Sequence, residues 1–192
     1  MKIGVLAVQG DFEAHRTMLE SLAVEASEIR TVGDLDRHDG IVLPGGESTT
    51  QLKFLQEEGL FQPLRKFALE DGAIFGTCAG AILLASEVLN PVQESLALMD
   101  ITVLRNGYGR QLSSEVRYGH STLKRAPLEM VFIRAPIIAR VGPGLEVLAE
   151  DAGRPVLVRQ GKLLAATFHP ELTDDSTVYS YFLGLIGERV RA

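Results

Sequence analysis

The chain has 192 residues, of which 46% are hydrophobic and 23% charged. This composition is close to that of soluble globular proteins and unlike that of disordered chains. Its formal net charge of −6 argues against a nucleic-acid-binding protein, which needs a basic face. A single cysteine can form no internal disulfide, and no apolar run reaches the roughly 20 residues of a membrane span. We therefore expect one cytoplasmic domain covering residues 1–192, with no nucleic acid and no membrane as partner.

Short apolar runs and amphipathic segments alternate through the first half of the chain. The apolar runs predict four strands, at residues 2–8, 24–30, 40–44 and 73–77. This alternation is typical of an α/β fold, a three-layer sandwich in which helices cover both faces of a mostly parallel open sheet.

Helices are predicted between these strands. Asp11 can cap the first helix. The apolar stripe of that helix consists of Phe12, His15, Leu19 and Leu22. Residues 48–70 are helical in pattern, in two pieces broken at Gly59 and Pro63, and residues 79–89 form a further predicted helix.

The pattern changes after Asn90 and Pro91. Short strand-like runs separated by Gly and Pro turns predict hairpins near one end of the sheet. A last helix is predicted to begin near Asp174 and Asp175. Its apolar face consists of Val178, Tyr181, Phe182, Leu185 and Ile186. Residues 106–127 have the least pattern and are predicted to be a solvated loop, with a docking or substrate-facing surface as the alternative.

Four polar or glycine-rich turns follow predicted strands. They are VQGD after the first strand, PGGES after the third, GTCAG after the fourth and FHPE after a late one. In an open α/β sheet, ligands bind at the carboxyl ends of the strands. We therefore expect these four turns to form one site.

The only cysteine, Cys78, lies in the turn GTCAG, which has the form of a nucleophile elbow with Cys in place of Ser. Its glycines permit a sharp strand-to-helix turn, and the helix N–H groups beneath the sulfur favour a thiolate. The alternative is a small buried hydrophobic residue, which is common for cysteine. A position at an elbow after a buried strand favours the nucleophile.

A thiolate nucleophile needs a proton carrier, and four histidines are available. His15 lies on the apolar stripe of the first helix, where a hydrogen-bonded core histidine is expected. His38 lies in a polar loop and is expected to be solvated, and His120 belongs to the unpatterned segment. His169 differs from these because it closes an apolar run and is followed by Pro and Glu.

On an extended backbone, Glu171 can reach the ring of His169 from behind, because residues i and i+2 face the same side. Cys78, His169 and Glu171 then supply a nucleophile, a proton carrier and an orienting carboxylate. An exposed pair at a strand end is the alternative for His169 and Glu171.

Acyl chemistry also needs N–H donors for a developing oxyanion. The amide of Ala79 is one, and Gly45 and Gly46 let further backbone N–H groups approach a ligand closely. Glu47 or Ser48 can cap the next helix in the same turn. PGGES is no Walker phosphate loop, because no Gly-Lys-Ser/Thr follows, and no Cys or His cluster has metal-ligand spacing. We expect no metal and no cofactor.

The motifs GTCAGA and FHPE together resemble the class I (triad) glutamine amidotransferases, whose sheet is flavodoxin-like. The further motifs QGDF, PGGEST, RNGYGRQ, FIRAP and FHPELT run from Gln9 to Thr173. They narrow the resemblance to the family of glutaminase subunits of pyridoxal 5'-phosphate synthase. Gly107 stands where this family is expected to have Ala, and residues 113–130 show little of its pattern.

The resemblance implies roles for individual residues. Cys78, His169 and Glu171 match the catalytic triad of the family. Its glutamine-binding positions are matched by Gly46, Glu47, Ser48, Arg105, Ile133 and Arg134. Gln9 and Gly10 match a segment that helps to set the oxyanion site. The chemistry is consistent with these positions, because a free amino acid brings a carboxylate for Arg or N–H groups and an ammonium for acceptors.

The activity implied by the resemblance is hydrolysis of L-glutamine to L-glutamate and ammonia through a glutamyl thioester. The ammonia would pass to a separate synthase subunit that makes pyridoxal 5'-phosphate (vitamin B6) in a hetero-oligomeric complex. Two alternatives remain: a DJ-1-like elbow-cysteine hydrolase or deglycase, and a non-catalytic regulatory subunit. FHPE and PGGEST count against the first, and the complete set of Cys, His and Glu counts against the second.

Overall fold

Strands and helices alternate in the first part of the computed structural model, which describes residues 1–106 and 114–187. The strands are β1 (Lys2–Leu6), β2 (Glu25–Ile29), β3 (Gly40–Leu43), β4 (Ala73–Thr77), β5 (Ala85–Leu89), β6 (Met99–Leu104), β7 (Glu115–Gly119), β8 (Leu128–Phe132), β9 (Ile137–Val141), β10 (Glu146–Asp151), β11 (Arg154–Gln160) and β12 (Leu163–Ala166). The helices are α1 (Phe12–Ser21), α2 (Val32–Leu35), α3 (Ser48–Glu57), α4 (Phe61–Leu69), α5 (Ala79–Leu84) and α6 (Thr177–Gly187), and a 3-10 turn spans Pro170–Leu172.

The main sheet of the described residues has seven strands in the order β10-β11-β12-β4-β3-β1-β2. The five strands from β12 to β2 pair in parallel, and the pairs β10-β11 and β11-β12 are antiparallel. The predicted mostly parallel sheet, with hairpins near one end, is therefore confirmed.

Side chains of the central strands alternate between two hydrophobic cores, one on each face of the sheet. Ile41 and Leu43 enter the core covered by α3, α4 and α5, whereas Val42 enters the core covered by α1 and α6. Ile74 and Phe75 of β4 divide in the same way. Helices on both faces give the predicted three-layer sandwich.

Residues 79–89 do not form the single helix that the sequence predicted. Helix α5 ends at Leu84, and the next residues form β5, which pairs in parallel with β6. Val88 of β5 is buried in the same core as Val103 of β6. A short apolar run fits a helix or a strand equally well, and here pairing with β6 decides the outcome.

The other strands form two small sheets. One has the order β5-β6-β9, and the other is the antiparallel pair β7-β8. Strand β7 lies inside residues 106–127, so the predicted loop is wrong at Glu115–Gly119. Residues 107–113, which include Gly107 of the resemblance, lie outside the described residues.

Three local predictions concern the helices α1, α4 and α6. The Asp11 side chain caps α1 by accepting a hydrogen bond of 3.2 Å from the N–H of Ala14, as predicted. Pro63 does not break a helix: it lies in the first turn of α4, where its missing N–H would have no partner within the helix. In α6 the predicted apolar face packs against the core, with Tyr181 and Ile186 partly buried, and the fully buried Tyr179 is an unpredicted addition to it. No helix within the described ranges is long and apolar enough to cross a membrane.

Candidate active site

The four turns that follow β1, β3, β4 and β12 meet at one edge of the main sheet, as the sequence predicted. Strand β4 lies between β3 and β12, so the turn carrying Cys78 is central. The cleft at this edge is lined by Gly10, Asp11, Gly45, Gly46, Glu47, Ser48, Cys78, Ile82, Arg105, Asn106, Ile133, Arg134, His169 and Leu172. Most of the predicted site residues therefore border one cavity.

Cys78 lies on a sharp turn between β4 and α5. Its backbone has φ 46° and ψ −99°, a conformation that is rare for a residue with a side chain. The N–H of Cys78 donates a hydrogen bond of 2.8 Å to the carbonyl of Ala166, which fixes the turn against β12. A β-carbon at Gly80 would lie 2.0 Å from the carbonyl oxygen of Leu43, so the elbow needs glycine there.

His169 and Glu171 form a buried pair beside this cysteine. His169 Nδ1 lies 2.7 Å from Glu171 Oε1, and only 9% of His169 and 6% of Glu171 is exposed. The predicted contact is present, but its geometry differs from the predicted extended strand. His169 precedes the 3-10 turn that contains Glu171, and that turn folds the carboxylate back onto the ring.

The electrostatics of His169 depend on both neighbours. Burial alone would lower the pKa of its imidazole, but hydrogen bonding and charge from Cys78 and Glu171 raise it to about 10. The Cys78 thiol is also 3.9 Å from the carbonyl oxygen of Ile133. His169 thus lies between the Cys78 sulfur and the Glu171 carboxylate, and both favour the charged form of its ring.

The Glu171 carboxylate is held by two histidines. Burial would raise its pKa, but charge and hydrogen bonding from His15 and His169 lower it to about 2. His15 Nε2 lies 3.3 Å from Glu171 Oε1. The sequence predicted His15 to be a hydrogen-bonded core residue, which is correct, but it gave no sign of this contact.

The loop that follows β3 is tied to the loop that follows β1. Gln9 Oε1 accepts a hydrogen bond of 3.0 Å from the N–H of Glu47. A β-carbon at Gly10 would lie 1.7 Å from the carbonyl oxygen of Gly45, so only glycine permits this approach. Gln9 and Gly10 thus support the turn that carries Gly45 and Gly46.

Gln51 reinforces the same junction and was missed by the sequence analysis. This fully buried residue of α3 donates from Nε2 to three carbonyl oxygens, of Gln9 at 3.2 Å, Pro44 at 3.1 Å and Gly45 at 3.2 Å. A polar residue one turn into a helix, among buried positions, is the signal that could have revealed it.

The residues expected to form an oxyanion site surround Cys78. Gly45 is packed against both Cys78 and His169, since a β-carbon at Gly45 would lie 3.5 Å from Cys78 Cβ. Gly46 has φ 140°, which favours glycine, and Ala79 begins α5 directly after Cys78. The structure brings these three residues to the nucleophile turn.

The residues predicted to bind glutamine form the far wall of the cleft. Arg105 Nη2 lies 2.9 Å from Glu47 Oε1, and Glu47 also caps α3. Hydrogen bonding from the Thr49 hydroxyl is the largest cause of a lowered pKa at Glu47, with Arg105 and Arg134 contributing charge. Thus a carboxylate and two guanidinium groups face the cavity.

Some residues that line the cleft differ in role from the prediction or were not predicted to lie there. Ser48 is buried and its hydroxyl donates a hydrogen bond of 2.9 Å to Gln93 Oε1, so that hydroxyl already has a partner. Ile82, Asn106 and Leu172 line the cleft without having been predicted, and Asp11 lines it as the last residue of the predicted VQGD turn. In the part of the chain that the structure describes, no group of three or more His, Cys, Asp or Glu side chains could hold a metal ion.

A mostly parallel open sheet with an elbow cysteine facing a buried His-Glu pair is the arrangement of an α/β amidotransferase. The model of the SNO glutamine amidotransferase family matches residues 5–188, and this chain belongs to that family.

Curated relatives and solved structures agree with this membership. The chain is 54% identical to a pyridoxal 5'-phosphate synthase subunit PdxT of Koribacter versatilis, over 97% of this chain and 96% of the relative. It is 50% identical to the PdxT subunit of Deinococcus radiodurans, over 98% and 99%. A crystal structure of a glutamine amidotransferase superposes with a TM-score of 0.91 at 46% identity, over 97% of this chain and 99% of that one. PurLQS from Thermotoga maritima, at 15% identity and a TM-score of 0.67, shares the fold.

Proposed function

We propose that this chain is the glutaminase subunit of a pyridoxal 5'-phosphate synthase, hydrolysing L-glutamine to L-glutamate and ammonia. The observation that carries the proposal is the Cys78 elbow facing the buried pair of His169 and Glu171 in a cleft with two arginines. The names of the relatives support the assignment to this synthase.

In the first half-reaction, the Cys78 thiolate attacks the side-chain amide carbon of glutamine. The oxyanion accepts hydrogen bonds from the amide of Ala79 and from the loop of Gly45 and Gly46. The His169 imidazolium gives its proton to the departing nitrogen, so ammonia leaves and a glutamyl thioester remains. The raised pKa of His169 supports this step, because the ring carries the required proton at neutral pH.

The second half-reaction regenerates the enzyme. His169, now neutral, takes a proton from water, and the resulting hydroxide attacks the thioester carbon. The tetrahedral intermediate expels the Cys78 thiolate and releases glutamate. Glu171 keeps the His169 ring oriented through both steps and supports the imidazolium.

The far wall of the cleft suits the amino-acid end of glutamine. Arg105 and Arg134 offer charged donors to the α-carboxylate, and the Glu47 carboxylate offers an acceptor to the α-ammonium. Backbone groups of Gly46, Ser48 and Ile133 complete the set in this proposal. The reacting amide then points towards Cys78.

The proposal includes a partner, a location and a domain boundary. The ammonia passes to a separate synthase subunit within a hetero-oligomeric complex, as the subunit names of the relatives suggest. A single cysteine that must stay reduced fits the cytoplasm. Residues 1–192 act as one glutaminase domain.

A glutaminase assay with and without the synthase subunit tests this function. The wild-type complex should release glutamate, the Cys78→Ala complex should release none, and hydrogen exchange should slow on the surface that the synthase covers. A Cys78→Ala complex that hydrolyses glutamine at the wild-type rate would overturn the mechanism. Turnover of a glyoxal-type substrate, with none of glutamine, would favour the deglycase alternative.

A further inference from the structure

We infer that His15 is a positioning residue for glutamine hydrolysis, holding the Glu171 carboxylate in place against His169. The inference rests on the proposed function and adds to it a residue outside the triad. His15 comes from α1, far along the chain from the FHPE turn, and contacts the same Glu171 oxygen, Oε1, as His169 does.

The contacts of His15 leave both of its ring nitrogens occupied. Nε2 lies 3.3 Å from Glu171 Oε1 and 3.3 Å from Thr77 Oγ1, and Nδ1 lies 2.5 Å from the hydroxyl of Tyr179. All three of His15, Thr77 and Tyr179 are fully buried. The ring therefore joins α1 to the strand before Cys78 and to α6.

The partners determine which nitrogen of His15 carries a proton. An ionised carboxylate can only accept hydrogen bonds, so Nε2 must donate to Glu171. Burial raises the pKa of Tyr179 well above its usual value, so its hydroxyl keeps its proton where it contacts Nδ1. The Nε2–H of His15 therefore faces Glu171, and the Tyr179 hydroxyl holds the other side of the ring.

Glu171 depends on this donor because its carboxylate has few others. Oε1 contacts both His169 and His15, whereas Oε2 has no hydrogen-bond partner among the described residues. Without the N–H of His15, the buried anion keeps a single donor. Leaving a buried charge with too few partners is costly, so the carboxylate would rotate or take up a proton.

Either response would weaken the support that Glu171 gives to His169. The titratable groups around the carboxylate are His15 from α1, His169 from its own segment and Tyr179 from α6, with Cys78 beyond His169. Since Glu171 supports the charged His169 ring only while the carboxylate is ionised, loss of His15 should weaken that support first at low pH. A residue that merely filled space would leave the pH dependence of activity unchanged.

The test compares His15→Leu and His15→Gln in the complex with the synthase subunit. His15→Leu should lower kcat roughly 10- to 100-fold with KM within about 2-fold, because geometry near the chemistry is lost and the substrate wall is intact. The acid limb of its kcat/KM profile should move to higher pH. His15→Gln, whose amide N–H can reach Glu171, should recover most of both effects.

Two further variants separate positioning from folding. Tyr179→Phe keeps the aromatic ring but removes the hydroxyl that contacts His15 Nδ1, so the acid limb should move in the same direction by less. His38→Gln alters a histidine away from the triad, whose Nε2 lies 2.6 Å from the Ser27 hydroxyl. This variant should change neither kcat nor the pH profile. If His15→Leu does not fold, as judged by circular dichroism, the pH profiles of Tyr179→Phe and His15→Gln still test the positioning role.

Alkylation of Cys78 by iodoacetamide, followed against pH, needs no glutamine and so distinguishes the two proposals. A higher alkylation midpoint in His15→Leu and Tyr179→Phe supports the positioning role even if the wild-type complex hydrolyses no glutamine. The role is overturned if the midpoint and acid limb do not move, or if the loss is equal at every pH and His15→Gln does not restore it.

Discussion

Gly45 lies directly against the imidazole of His169: a β-carbon at Gly45 would be 2.4 Å from His169 Cε1 and 3.0 Å from Nδ1. The loop after β3 and the histidine after β12 therefore share one space beside Cys78. This contact makes the position of the ring sensitive to a single methyl group.

Gly45→Ala should displace either the loop or the His169 ring. We expect kcat/KM for glutamine to fall about 100-fold, the loss typical of a displacement of about 1 Å at a reacting centre. Gly184→Ala is the matched control, because Gly184 lies in α6 with open space around it. The control should keep full activity and gain roughly 0.5–1 kcal/mol of stability. Full activity in Gly45→Ala would contradict the packing described.

Glu171→Gln should separate orientation from charge at the His-Glu pair. The amide keeps the shape of the carboxylate but cannot support the imidazolium, so kcat should fall by roughly 100- to 10,000-fold. Steady-state kinetics in the complex measure this loss. Activity within a few-fold of the wild type would show that His169 works without the carboxylate.

The pH dependence of the free energy of unfolding provides a second test of Glu171. The pKa of Glu171 is lowered from 4.5 to about 2, so its contribution is fully present above pH 4.5 and is lost as the pH falls towards 2. Urea unfolding of the wild type should show this loss on acidification, and Glu171→Gln should show a flatter profile over the same range. Parallel profiles would count against the buried, ionised carboxylate.

Arg105 should affect substrate binding more than chemistry. Arg105→Met removes a guanidinium that faces the cleft and pairs with Glu47, so KM for glutamine should rise roughly 10- to 100-fold with little change in kcat. Arg140→Met is the control, since Arg140 pairs with Asp100 on the exposed surface. A fall in kcat at unchanged KM would contradict the placement of the amino-acid end of glutamine.

Gln51 should be important although it does not line the cleft. Gln51→Leu would leave three carbonyl oxygens without their shared donor, and we expect a loss of about 1–3 kcal/mol in the free energy of unfolding. Because the Gly45 loop loses its tether, kcat should also fall about 10-fold. Gln56→Leu, on the exposed side of the same helix, removes only a contact with Glu94 and should change neither.

Local chemistry made much of the site predictable from the sequence. Asp11 could be recognised as a helix cap and GTCAG as an elbow, because each depends on neighbours along the chain. The four loops could be placed together because parallel strands end at the same edge of a sheet. His169 and Glu171 are two residues apart, so their contact was predictable even though the turn between them was not.

Contacts between distant segments were not predictable in the same way. The strand at residues 85–89 was taken for helix because only its pairing with β6 distinguishes the two. The contact between His15 and Tyr179 joins residues at opposite ends of the chain. Gln51 and Gln9 likewise meet only once β1 and β3 are side by side. Single-residue patterns carry no information about such partners.

Labelling of Cys78 by a thiol-reactive glutamine analogue, in the complete complex with the synthase subunit, tests the central claim most directly. The claim predicts one equivalent of covalent adduct, located at Cys78 by mass spectrometry, with glutaminase activity lost in proportion and free glutamine protecting against both. Absence of labelling in an active complex, or labelling that leaves glutamine hydrolysis intact, would contradict it.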